Sequence, residues 1–95
     1  MELKQAFGVA LKQARAVQAK TQEDFAVVSS RTYLSSLERG IYSPTLDKLD
    51  ALASVLELHP LSLLASSYMK LEPDLDLDVL LERLKQEVMA LQSEN

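Results

Sequence analysis

The chain has 95 residues, of which 47% are hydrophobic and 25% charged, and its net charge is −4. This length fits one domain with a single modest core. The absence of cysteine excludes disulfides and cysteine-based zinc sites. No stretch resembles a signal peptide or a membrane-spanning run of about 18 apolar residues, so we expect a cytoplasmic protein without membrane contact.

The acidity of the chain is concentrated at its carboxyl end. Residues 1–71 contain eight Lys or Arg and seven Asp or Glu, a net charge of +1, whereas residues 72–95 contain two and seven, a net charge of −5. A nucleic-acid-binding surface needs only local positive charge, so the overall acidity does not exclude one on the first part. The weak charge of that part predicts modest non-specific affinity.

Residues 1–69 are predicted to form five helices, because apolar residues recur there at steps of three and four. The helices are expected to start near residues that cap a helix or suit its first turn: Leu3, Thr21, Ser30, Thr45 and Pro60. Gly40 supplies a stop for the third helix. Gly8, inside the first helix, costs helix stability and indicates a close contact with another helix.

Residues 70–95 are predicted to form a linker containing Pro73 and then a sixth, amphipathic helix. Its apolar stripe recurs at steps of four and three, at Leu77, Leu81, Leu84, Val88 and Leu91. A stripe of about two heptads either folds back on the core or pairs with its copy in a dimer. We favour the dimer, and therefore divide the chain into a first domain, 1–69, and a dimerisation segment, 70–95.

Three blocks of sequence, Thr21–Ala26, Arg31–Gly40 and Ser43–Leu49, resemble the Cro/C1-type (Xre-like) helix-turn-helix family. The resemblance covers about residues 3–66. It implies an all-α, five-helix, lambda-repressor-like domain in a transcription regulator, expected to be a repressor that binds palindromic double-stranded DNA as a homodimer. One departure concerns the turn: seven residues separate Ala26 from Leu34, against about ten in the family. We therefore expect a tighter turn, or a second helix that ends early.

By this resemblance, the third helix enters the major groove with the start of the helix and the next turn facing the bases. The residues expected to read bases are Arg31, Thr32, Ser35 and Ser36. Arg31 is the best reader because a guanidinium bonds bidentately to guanine, although a solvent or phosphate contact is the alternative. For Ser35 and Ser36 the alternative is small, neutral side chains on an exposed helix face.

The resemblance also implies contacts to the DNA backbone from residues that flank the third helix: Gln22, Ser30, Arg39, Tyr42 and Ser43. Such contacts set the register of the protein on DNA without reading sequence. For Tyr42 the alternative to a phosphate contact is partial packing of its side chain on its own loop. Arg15 and Glu38 are expected to form a structural ion pair that fixes the orientation of the third helix.

The sequence offers no arrangement typical of an enzyme, a cofactor site or a metal site. The single histidine, His59, precedes Pro60 at a predicted helix start, which indicates an exposed N-cap rather than a catalytic group. The acidic residues of 72–95 indicate a solvated face rather than a divalent-metal site. The alternative function is a protein-interaction module, such as an antitoxin or anti-repressor whose acidic C-terminal helix binds a partner protein.

Overall fold

The computed structural model describes residues 1–93, and these form helices without a strand. The elements in chain order are α1 (Leu3–Val17), a 3₁₀ helix (Gln22–Phe25), α2 (Arg31–Glu38), α3 (Leu46–Leu56), α4 (Pro60–Leu71) and α5 (Leu77–Gln92). The predicted all-α class is confirmed. The second predicted helix is the single 3₁₀ turn, in keeping with the shortened spacing after it.

The end of α4 differs from the prediction, which began the linker at Lys70. The helix continues through Leu71, so the connection to α5 comprises residues 72–76. Glu72 has left the helical conformation, with φ −123° and ψ 85°. The reason is the following Pro73, whose ring disfavours the α conformation of the residue before it.

The starts of α2, α3 and α4, like that of α5 at Asp76, are fixed by side chains that accept hydrogen bonds from otherwise unpaired backbone N–H groups. Ser30 Oγ accepts from the Tyr33 N–H at 3.0 Å, and Thr45 Oγ1 accepts from the Lys48 N–H at 3.0 Å. His59 Nδ1 accepts from the Leu61 N–H at 3.0 Å, which makes the histidine an exposed N-cap. The Ser30 and Thr45 caps each stabilise their helix by about 1 kcal/mol, and the three caps together set where α2, α3 and α4 begin.

The core lies where α1 packs against α2 and α4. Its fully or nearly fully buried members include Phe7, Leu11, Phe25, Leu34, Leu37, Leu52, Leu56 and Leu63. Gly8 allows α1 to approach α2 closely, because a Cβ at this position would lie 2.5 Å from the Leu37 carbonyl oxygen and 2.6 Å from that of Glu38. The close helix contact indicated by Gly8 is therefore the crossing of α1 and α2.

α5 lies outside this core. None of its residues is buried, and it makes only sparse contacts with the other described helices. The predicted apolar stripe is exposed along its length, from 38% at Leu84 to 75% at Leu91. Open grooves separate α5 from α4, with Leu61, Ala65 and Leu84 shared between them. The helices α1–α4 therefore leave most of the stripe uncovered.

No single helix among residues 1–93 is long and apolar enough to cross a membrane. α3 and α4 reach such a length and apolar content only as a pair, and they are bent by 101° at their junction. Both helices contribute buried residues to the core, among them Leu49, Leu52 and Leu63.

Candidate nucleic-acid interface

α2 has one anchored face and one exposed first turn. Leu34 and Leu37 are completely buried, whereas Arg31 and Thr32 are exposed. Gly40, in the left-handed conformation at φ +74°, turns the chain away directly after the helix. A short helix that is held from behind and exposed at its N-terminal turn suits a major groove, which is about 12 Å wide.

Arg31 and Arg39 place two cations at the two ends of α2. Both side chains are exposed, and neither forms an ion pair with a carboxylate within residues 1–93. At 1.5 Å per residue the two positions are about 12 Å apart along the helix axis. Both charges therefore remain available for the edge of a base or for a backbone phosphate.

The neighbouring serines of α2 differ in their surroundings. Ser36 is only 7% exposed, and its Oγ donates a hydrogen bond to the Thr32 carbonyl at 3.0 Å. This burial and the hydrogen bond within the helix argue against Ser36 as a base reader, in favour of the alternative of a small side chain that fills space on the helix. Ser35 is partly exposed and follows Arg31 and Thr32 by one helical turn, so it shares their face.

The C-terminal end of α2 is tied to α1 by the ion pair of Arg15 and Glu38. Arg15 Nε donates to Glu38 Oε2 at 2.6 Å, and Arg15 Nη2 donates to Oε1 at 3.1 Å. The side chains are 19% and 6% exposed, respectively. The hydrogen bond to Glu38 raises the pKa of Arg15, although burial opposes this. The bidentate geometry fixes α2 in orientation as well as in position.

Gln22, expected to bind a phosphate, belongs to the same network. Its Nε2 donates to Glu38 Oε1 at 3.3 Å, and the side chain is partly buried. An amide nitrogen carries two hydrogens, so one remains for a further acceptor. The network therefore holds Gln22 at the start of the 3₁₀ helix and leaves it a free donor.

Ser30, Tyr42 and Ser43 are exposed. Because Ser30 Oγ accepts the cap hydrogen bond, its O–H can still donate to a phosphate. The Tyr42 ring stacks on that of Tyr33, with centroids 6.1 Å apart and an interplanar angle of 18°, while 54% of the residue stays exposed. Tyr42 thus packs on one side and faces solvent on the other.

The turn of the helix-turn-helix occupies residues 26–30. The N–H groups of Val28 and Ser29 both donate to the Phe25 carbonyl at 2.9 Å, so the chain reverses directly after the 3₁₀ helix. Phe25 itself is completely buried and anchors the first arm of the turn. The missing residues of the family pattern are therefore accommodated by shortening the second helix.

Sequence reasoning missed two residues that shape this surface, Tyr33 and Lys48. Lys48 Nζ donates to the Val28 carbonyl in the turn, and it lies 5.6 Å from the centroid of the Tyr33 ring. A lysine three residues after the cap Thr45 gives a weak signal, because the same position suits an ordinary solvated lysine. Only the packing of α3 against the turn reveals its role.

Comparison with known proteins agrees with this geometry. The family model for helix-turn-helix domains matches residues 11–63, which is more than half of the chain. The chain belongs to the Xre/Cro-C1-type helix-turn-helix family. It is a DNA-binding transcription regulator, and double-stranded DNA is its binding partner.

Solved structures show the same fold. A crystal structure of the clp gene regulator ClgR from Corynebacterium glutamicum has 28% identity and a TM-score of 0.69, covering 74% of this chain and 92% of that one. A second ClgR crystal structure from the same organism covers 96% and 90%, with 22% identity and a TM-score of 0.69, and supports the fold alone. Comparison with curated proteins gives no match.

Proposed function

We propose that this helix-turn-helix protein is a homodimeric, sequence-specific repressor that inserts α2 into the major groove of a palindromic operator. The observation that carries the proposal is the exposed first turn of α2, anchored from behind by Leu34, Leu37 and Glu38. Its exposed cation, Arg31, has the geometry and charge for bidentate contact with guanine.

The proposed interface separates base readers from phosphate contacts. Arg31, Thr32 and Ser35 share the exposed face of α2 and would read bases. The residues around that helix offer hydrogen-bond donors to the DNA backbone: Gln22, Ser30, Arg39, Tyr42 and Ser43. Only Arg39 among the latter carries a charge, so we expect a shallow dependence of affinity on salt concentration.

Dimerisation is proposed through α5. Its stripe of Leu77, Leu81, Leu84, Val88 and Leu91 is exposed in the single chain. Pairing with the same stripe of a second copy would remove this apolar face from water. One α2 offers few base contacts, whereas two copies would read half-sites about 34–36 Å apart. Truncation after Pro73 is therefore expected to yield a monomer.

Repression follows from the same geometry if the operator overlaps a promoter, since a bound dimer then occludes polymerase. A reporter gene behind a promoter that contains the operator tests the sign of regulation. Expression of the protein should lower reporter output, and increased output would make the protein an activator.

Selection of bound duplexes from a random DNA library, using the full-length chain, tests the central proposal. We expect a palindromic site with half-sites about ten base pairs apart, centre to centre. Sedimentation of the protein with and without that duplex gives the stoichiometry. Recovery of a single, asymmetric half-site bound by one chain would overturn the dimeric part, and recovery of no preferred sequence would overturn sequence-specific binding.

A further inference from the structure

Three side chains from consecutive parts of the helix-turn-helix form one contact cluster beside α2. Tyr33 lies in the first turn of α2, Tyr42 in the loop that follows α2, and Lys48 in the first turn of α3. The Tyr33 ring contacts both others, Tyr42 by stacking and the Lys48 ammonium at 5.6 Å. The geometry of both contacts lies within the range of favourable aromatic and cation–π interactions.

The two ends of this cluster differ in mobility and exposure. Tyr33 packs against the core, and Lys48 is held through the Val28 carbonyl. Tyr42 lies in a loop and is 54% exposed, and its ring stacks on that of Tyr33. Without Tyr33, the Tyr42 side chain would be free to sample several rotamers, and DNA binding would have to order it.

We infer that Tyr33 is a positioning residue that holds Tyr42 ready to donate its phenolic hydrogen to a phosphate of the DNA backbone. This inference rests on the proposed function, because it assigns Tyr42 to the phosphate-contacting side of the α2 interface. Lys48 supports Tyr33 from α3 and thereby also fixes the shortened turn. Tyr33 touches no DNA in this arrangement and acts through Tyr42 alone.

A phosphate suits Tyr42 better than a base does. The residue follows Gly40, after the chain has left the exposed first turn of α2. Its neighbours Arg39 and Ser43 are exposed hydrogen-bond donors that are also assigned to the DNA backbone. Tyrosine hydroxyls are common donors to phosphate oxygens. One face of the Tyr42 ring is occupied by Tyr33, which reduces the surface available for stacking on a base.

A double-mutant cycle on the selected operator tests the inference. Tyr42→Phe removes the hydroxyl and keeps the stack, and should weaken binding about two- to tenfold. Tyr33→Met removes the stack and should weaken binding by a similar factor, because ordering a free side chain on binding has a cost of that size. The control variant Tyr33→Phe keeps the ring and should bind the operator with wild-type affinity. The double variant Tyr33→Met/Tyr42→Phe should bind little worse than either single variant, and additive losses would overturn the inference.

Two further measurements separate positioning from a general loss of structure. Because a neutral hydroxyl releases no counterion, the slope of log affinity against log salt should stay unchanged in Tyr42→Phe. Replacing single operator phosphates by methylphosphonates should weaken wild-type binding at several phosphates per half-site, and Tyr42→Phe should be insensitive at one of them. An equal response of both proteins at every phosphate would contradict the contact.

Circular dichroism and thermal unfolding show whether Tyr33→Met is folded. If that variant is unfolded, ¹³C relaxation of the Tyr42 ring in the wild-type protein tests the inference instead. The ring should be equally ordered with and without DNA. A ring that becomes ordered only on DNA binding would overturn the inference. Failure of the wild-type protein to select any operator counts against the proposed function instead. If the wild-type protein binds its operator but the effects of Tyr33→Met and Tyr42→Phe are additive, only the positioning role of Tyr33 is contradicted.

Discussion

Arg15 of α1 and Glu38 of α2 are joined by two hydrogen bonds, with the carboxylate 6% exposed and the guanidinium 19% exposed. Glu38 is the last residue of α2 and lies three residues beyond Ser35, so the pair fixes the reading helix from its buried end. Such a pair is weak evidence of net stabilisation, but it specifies one orientation of the helix.

Replacement of one partner of this pair should destabilise the fold. Arg15→Met leaves the buried carboxylate of Glu38 without its cation, and we expect the free energy of unfolding to fall by about 2–3 kcal/mol in urea denaturation. The exposed pair Arg83–Glu87 in α5 offers a matched control, since Arg83→Met should cost less than about 0.5 kcal/mol. Equal effects of the two substitutions would show that burial of the first pair is unimportant.

Gly8→Ala should destabilise the protein, although alanine is the better helix former by about 1 kcal/mol. The added Cβ would meet two backbone carbonyl oxygens of α2 at 2.5 and 2.6 Å, and the helices must move apart. We expect a net loss of about 1–3 kcal/mol by thermal unfolding, with the exposed neighbour Val9→Ala as control. A stabilised Gly8→Ala protein would be inconsistent with this helix crossing.

Arg31→Ala and Arg39→Ala should separate specificity from affinity. Arg31→Ala is expected to cost about 1–3 kcal/mol on the selected operator and to spare binding to an unrelated duplex. Arg39→Ala should weaken binding to both duplexes and reduce the salt slope by about one. Titration of each variant at several salt concentrations measures both effects, and unchanged operator affinity in Arg31→Ala would remove Arg31 from the base readers.

Asp24 should make stability depend on pH in the acid range. Its carboxylate accepts hydrogen bonds from the Thr21 backbone N–H at 2.7 Å and from the Thr21 hydroxyl at 3.2 Å, and the backbone hydrogen bond is the main cause of a lowered Asp24 pKa. A lowered folded-state pKa gives stability that is present above the ordinary pKa of about 3.9 and lost as the pH falls through the folded value.

The difference in unfolding free energy between wild type and Asp24→Ala should therefore be constant near neutral pH and shrink below about pH 4. Asp50→Ala, at an exposed position in α3, is the control for the general effect of removing a carboxylate. A difference that persists unchanged to pH 2 would show that the Thr21–Asp24 contact does not depend on the carboxylate charge.

Leu81→Asp should dissociate the proposed dimer, because it places a charge in the middle of the α5 stripe. Val79→Asp is the matched control: Val79 is 63% exposed on the same helix, but it lies about 200° around the axis from Leu77. Sedimentation equilibrium should give a monomer for the first variant and a dimer for the second. If both variants are dimers, the interface lies elsewhere. If both are monomers, dimerisation depends on the helix as a whole and not on this stripe.

Local signals in the sequence determined the helices and their starts. Ser30, Thr45 and His59 each cap the helix that follows, because capping depends on residues within one turn of each other. The helical spacing of Leu34 and Leu37 predicts the buried side of α2, and hence its exposed first turn. The spacing between Ala26 and Leu34 also predicts the short turn, although not the 3₁₀ form of the second helix.

The surroundings of individual side chains were decided by tertiary packing. Ser36 occupies a position expected to face DNA, yet it is buried and bonded within α2, because its exposure depends on how that helix sits on the core. The contacts of Tyr33 with Tyr42 and Lys48 join residues 9 and 15 positions apart. Periodicity describes one helix at a time, whereas these contacts arise only where α2, its following loop and α3 meet in space.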